Sequence, residues 1–225
     1  MSLNKQTIFT FVLLLFTIIF FGTTDIDTLL QNHFFQFDTN KWVLDRNLEP
    51  YKLIFYDGVK RVLILFAILL LIVLLFFRKK ETVQKYKKGI IIVLLSSILI
   101  PITVGGLKRY TNMPCPKHEK IYGGVYPKTK VWEAYPPKFR QADKIKCWPA
   151  GHASGGFALL SLFFLFKRRR NKILSLIVAS MIGTSMGLYK MLIGDHYLSH
   201  TLITLLLSWL IILLVVRSVN NSSQI

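Results

Sequence analysis

The run Val62–Phe77, VLILFAILLLIVLLFF, contains no charged or polar side chain. A helix packed into a soluble core keeps a polar stripe on its outer face. This segment has none, so hydrocarbon is the solvent that suits it. Five more apolar blocks follow the same pattern. The sequence predicts six transmembrane helices, at about Thr7–Gly22, Arg61–Phe77, Gly89–Gly106, Pro149–Phe166, Ile173–Ile193 and Ser199–Val216. Each is near the ~20 residues that cross ~30 Å of bilayer. An ordinary cytosolic globular domain is excluded. Disorder is excluded too, because 52% of the residues are hydrophobic. Lys and Arg number 29 against 11 Asp and Glu, a net charge of +18. Those cations lie between the apolar blocks, which argues for membrane topology and against a nucleic-acid partner. The expected fold class is all-α: one integral-membrane domain over 1–225, with the lipid bilayer as its surroundings. Nothing in the sequence specifies an oligomeric state.

Lys5 precedes the first apolar run, as in a signal peptide. Gly22-Thr23-Thr24-Asp25 is a poor cleavage site, so an uncleaved anchor is expected. Arg78-Lys79-Lys80 to Lys87-Lys88, Lys167 to Lys172, and Arg217 mark the cytoplasmic ends. Both termini are then cytoplasmic. Three segments face outward, about 23–60, about 107–148 and the turn near Gly194–Leu198. The second is itself basic, which suits either anionic headgroups or an electrostatic funnel for an anionic substrate. The first, from Asp25 through His33 to Phe37, reads as an interfacial helix, with Trp42, Tyr51 and Tyr56 at headgroup depth.

The outward helix ends carry the chemistry. Lys108 and Arg109 close the third span, Pro149-Ala150-Gly151-His152 opens the fourth, and Lys190, Asp195, His196 and His200 surround the last turn. Ionisable groups at such positions are functional candidates, because burying them is costly. The plainer reading is snorkelling interface residues. Pro149 suits the first turn of a helix, and the amides that follow would form an anion-binding end. Two histidines beside it suggest a nucleophile and a general acid. Alternatively, His196 and His200, four apart, could ligate a metal with His152 or Asp195 as third ligand.

Three ordered fragments now resemble the type 2 phosphatidate phosphatase superfamily, whose motifs are K-x6-R-P, P-S-G-H and S-R-x5-H-x3-D. Here they read Lys108 with Cys115-Pro116, Pro149-Ala150-Gly151-His152, and Tyr189-Lys190 with His196 and His200. The resemblance covers about 108–200 and implies metal-independent phosphate chemistry without a cofactor. His196 would be the nucleophile forming a phosphohistidine, and His152 the general acid, then base. Lys108, Lys190 and the Gly151 amide would hold phosphate oxygens. Five positions depart from the motifs. Cys115 replaces an arginine, for which Arg109 or Arg140 could substitute. Ala150 replaces a serine. Tyr189-Lys190 replaces Ser-Arg, turning a guanidinium fork into a point charge. His200 replaces the aspartate that orients the nucleophile, with Asp195 as a possible compensation.

Cys115 and Cys147 are the only cysteines and share one outward loop. A periplasmic setting favours a disulfide between them. The reading that results is a bacterial inner-membrane lipid phosphatase facing the periplasm. Its expected partner is an anionic lipid substrate: lipid A first, then undecaprenyl diphosphate or phosphatidylglycerol phosphate. The alternatives are a lipid phosphotransferase using the same site, an inactive anionic-lipid-binding protein, and a transporter. The absence of internal repeats argues against the last.

Overall fold

The computed structural model describes residues 2–222, apart from the side chain of Tyr56. Helix α1 spans Leu3–Thr23 and is followed by the short α2, Ile26–Asn32. A two-residue hairpin pairs β1, Phe35–Gln36, with β2, Lys41–Trp42. A π-helical turn, Leu53–Gly58, runs into α3, Val59–Phe76. Helix α4 covers Glu81–Tyr110, and a long loop leads to α5, Gly151–Ala158. One 3-10 turn later comes α6, Leu162–Leu165, followed by α7, Arg169–Leu192, and α8, Leu198–Asn221.

The chain is an all-α multi-pass membrane protein. Among the described residues, five helices are long and apolar enough to cross a bilayer: Leu3–Thr23, Leu53–Phe76, Glu81–Tyr110, Arg169–Leu192 and Leu198–Asn221. The span expected at Pro149–Phe166 is a shorter apolar helix, Gly151–Leu165. At 1.5 Å per residue it measures about 22 Å. Both of its ends have a local cause. Pro149 lies before the helix instead of at its first position, with Ala150 as N-cap. At the other end Phe166 is extended, ahead of the cationic Lys167–Arg170.

Small residues bring α5, α7 and α8 together. A Cβ at Gly156 would sit 2.7 Å from the Gly183 Cα, and one at Gly187 would sit 2.3 Å from the Thr201 Cγ2. Close backbone approach of this kind is how helices associate where lipid removes the hydrophobic drive. Ile100 and Val104 of α4, Phe157 of α5, Ala179 of α7 and Ile212 of α8 fill the core between them. By contrast α3 buries none of its residues and presents Val62, Leu65, Leu69 and Phe76 to lipid.

The segments between α1 and α3 and between α4 and α5 close over the end of α7. Gln31 Nε2 donates to the Met191 carbonyl, Leu44 N–H to Leu192 and Lys117 N–H to Gly194. The last carbonyls of a helix lack intrahelical donors; Gln31 and Leu44 reach two of those of α7, and Lys117 the turn just beyond it. Phe35, Trp42, Tyr122 and Tyr197 pack ring against ring above this seam. Trp42 also lies over Gly194, where a Cβ would meet its ring at 2.2 Å.

Candidate active site

Gly194 takes φ +72°, a left-handed conformation open to glycine at little cost. It ends α7 in a Schellman arrangement, with Asp195 N–H donating to the Lys190 carbonyl at 2.7 Å and Gly194 N–H to the Met191 carbonyl at 3.0 Å; His196 N–H also reaches the Lys190 oxygen, at 3.2 Å. The side chain of Lys190 therefore returns to the residues its backbone holds. Its Nζ lies 2.9 Å from Asp195 Oδ2. His196, the next residue, is 4% exposed. Its Nδ1 sits 3.2 Å from Nδ1 of His200, one helical turn on, and 3.5 Å from Sγ of Cys147.

Helix α8 starts where it does because Asp27 of α2 accepts the buried N–H of Ser199 at 3.0 Å. The start of α5 is tied to the same place. Ala150 N–H donates to the His200 carbonyl, and the Thr204 hydroxyl lies between the carbonyls of Ala150 and His200. The Ala150 amide, expected from the sequence to be an anion donor, is thus spent on α8. Gly151 lies under the Lys108 side chain, since a Cβ there would meet Nζ at 3.3 Å. Burial, and then the charges of His200, Lys108, Lys190 and His152, hold the His196 imidazole well below its ordinary pKa. The nucleophile candidate is therefore neutral, with the other motif side chains close enough to act on it.

Beside this cluster is a cavity of about 280 Å³ lined by His152, Lys190, Asp195, Arg46, Lys52 and Lys117, among others. Three of these cations, Arg46, Lys52 and Lys117, were not singled out by sequence reasoning. Lys117 Nζ lies 2.8 Å from Asp195 Oδ1, and the Arg46 guanidinium contacts the same oxygen. Burial pushes the Asp195 carboxyl up, but Lys190 and Lys117 outweigh it and hold the group below the usual carboxylate range. The carboxylate faces these cations, and the ring in contact with His196 is that of His200. Lys117 had a weak signal, being two residues past the altered motif position Cys115. Arg46 had none, because it lies outside every motif and arrives from the segment between α1 and α3.

Arg109 and Arg140 are exposed, and neither lines the cavity. The guanidinium among the cavity's lining residues is that of Arg46. Tyr189, which stands where the motif has serine, donates its hydroxyl to the Arg46 carbonyl at 3.4 Å. Cys115 and Cys147 form the expected disulfide, with a sequence separation of 32. It joins the end of the first motif to the start of the second. Most lysines and arginines of the basic loop, including Lys120, Lys138, Lys144 and Lys146, stay exposed.

Two further buried carboxyls support the His196 turn. The Tyr197 hydroxyl donates to Glu119 Oε2 at 2.8 Å, and burial pushes Glu119 up to about 7. Burial likewise raises Asp27 to about 6, against the opposing hydrogen bond from Ser199. His33, whose ring touches only the Leu29 carbonyl among its described hydrogen bonds, keeps a structural role.

A family profile described as the PAP2 superfamily matches residues 89–224. The chain belongs to the PAP2 superfamily, a family of phosphatases acting on lipid or other phosphate esters. The match begins inside α4, so α1, α2, α3 and Arg46 lie outside it. No curated protein and no solved structure matches the chain significantly.

Proposed function

We propose that this protein is an integral-membrane lipid phosphatase. It removes phosphate from an anionic lipid at the periplasmic leaflet of a bacterial inner membrane, through a phosphohistidine on His196. The observation that carries this reading is a buried, neutral His196 joined through Asp195 and Lys190 to a cation-lined cavity that also holds His152.

Neutral His196 has a lone pair on Nε2 once Nδ1 holds the proton. Nδ1–H then donates to Nδ1 of His200, which fixes the ring and the tautomer. Attack on phosphorus breaks the P–O bond to the lipid, and His152 protonates the departing oxygen. His152 next takes a proton from water, which attacks the phosphohistidine and releases inorganic phosphate. Lys108, Lys190 and the Gly151 amide hold the equatorial oxygens as charge builds. Arg46 and Lys117 add positive charge where Cys115 stands in place of a motif arginine. Four cations against one carboxylate around the cavity favour a multiply charged headgroup. Lipid A is the first substrate to test, then undecaprenyl diphosphate and phosphatidylglycerol phosphate.

The test is mass spectrometry of envelope lipids from cells with and without the protein, backed by phosphate release from purified lipids in detergent. Loss of one phosphate from one lipid class, abolished by His196→Ala, is the expected result. Unchanged lipids together with no phosphate release from any of the three candidates would reject the proposal.

A further inference from the structure

The two motif positions that depart most, Arg to Cys115 and Asp to His200, both place soft metal-ligand atoms at one point. Sγ of Cys147 and ring nitrogens of His196 and His200 lie within 4.8 Å of one another. Nδ1 of His196 is 3.2 Å from Nδ1 of His200 and 3.5 Å from the sulfur. A tetrahedral zinc site with ordinary bond lengths has N···N edges of about 3.3 Å and S···N edges of about 3.6 Å. The observed spacings match those edges. The sulfur of Cys115 is bonded to Cys147 and is therefore at hand as a fourth donor, with Cα atoms 5.2 Å apart. In the oxidised chain neither sulfur is a thiolate, so the set cannot close around a metal. The third ligand suggested by sequence spacing, His152 or Asp195, is not needed; Asp195 is already engaged by Lys190, Lys117 and Arg46.

We propose that reduction of the Cys115–Cys147 disulfide converts this cluster into a Cys2His2 zinc site built from Cys115, Cys147, His196 and His200. A dithiol reductant supplies two electrons and two protons, leaving two cysteine thiols and becoming a disulfide itself. Binding Zn²⁺ then releases the two thiol protons, and both imidazoles bind in their neutral form. Two thiolates cancel the charge of the dication, so the centre adds no net charge beside Lys108 and Lys190. Four protein ligands leave no open position, which makes this a closed site rather than a catalytic one. Metal on Nδ1 of His196 replaces the hydrogen bond to His200, and the ring's single proton moves to Nε2, where it occupies the lone pair that would attack phosphorus. The reduced, metal-loaded form is therefore switched off.

The full chain in detergent, reduced with a phosphine and freed of excess reagent, is titrated with Co²⁺. The expected result is one Co²⁺ per chain, with thiolate-to-cobalt charge transfer and the visible bands of a tetrahedral ion. The oxidised protein should show neither. Reduced Cys147→Ser and His200→Ala should each weaken binding at least tenfold, and Cys115→Ser should keep a site with weaker charge transfer. Circular dichroism and gel filtration confirm that each variant is folded; if one is not, His200→Gln and Cys147→Ala replace it. Equal Co²⁺ binding by oxidised and reduced protein, or by reduced His200→Ala and wild type, would overturn the proposal. None of these readings needs turnover, so the result stands apart from the phosphatase assignment.

Discussion

Nδ1 of His196 and Nδ1 of His200 face each other at 3.2 Å in a pocket closed to solvent. Only one of them carries the shared proton. In the proposed mechanism an imidazole does what a carboxylate does in the family motif, but it cannot offset positive charge on the partner ring. His200→Ala should therefore lower kcat by about 10–100-fold, the worth of one strong buried hydrogen bond. KM should change little. His200→Asp should restore kcat at least to the wild-type level. Phosphate release from a lipid diphosphate under saturating and limiting substrate checks both outcomes.

His196→Ala should remove phosphate release by at least about 10³-fold while the protein still inserts and elutes as wild type. Acid-quenched protein mixed with labelled substrate should retain label in the wild type and none in the variant. Label retained by the variant would rule out His196 as the nucleophile.

His152→Ala should cost about 10²–10⁴-fold with lipid substrates, whose leaving oxygen needs a proton. Aryl phosphates with acidic phenols need little protonation, so they should lose much less. A rate ratio between the two substrate types that does not change on mutation would remove the general-acid role.

Arg46 reaches the cavity from outside the region matched by the family. Arg46→Ala should raise KM and lower kcat/KM by about 10–100-fold, and Arg46→Lys should recover only part of it, since a point charge cannot form a bidentate fork. Inhibition by vanadate, read in parallel, should weaken in the same order. Equal kcat/KM in all three proteins would place Arg46 outside the reaction.

Glu119 gives the fold a pH dependence. Its folded pKa, about 7, lies above the ordinary 4.5. The native state therefore binds this proton more tightly than the unfolded state does. Stability from this group is full below about pH 4.5 and is lost as pH rises to about 7, by on the order of 3 kcal/mol. Asp27, at about 6, adds a smaller loss over a lower window. Thermal unfolding in detergent between pH 5 and 8 should show this fall, and Glu119→Gln should flatten its upper part. An unaltered slope in Glu119→Gln would assign the pH dependence elsewhere.

The sequence determined the membrane class, because uninterrupted apolar runs such as Val62–Phe77 have no other stable solvent. It also marked Lys108, His152, Lys190 and His196 as candidates, because they stand at span ends that topology alone puts on one membrane face and within the ordered motifs of the resemblance. The partner of Cys115 followed from there being only one other cysteine. What it did not determine was the shape of the fourth span, whose start is set by a hydrogen bond from Ala150 to α8. Nor did it reveal Arg46 and Lys117, or that Asp195 would turn toward them and away from His196. Those outcomes depend on how the segments between α1 and α3 and between α4 and α5 fold back over the end of α7. Contacts between residues some 150 positions apart leave no periodicity or motif in a single sequence, and only the packed chain brings their charges to one carboxylate.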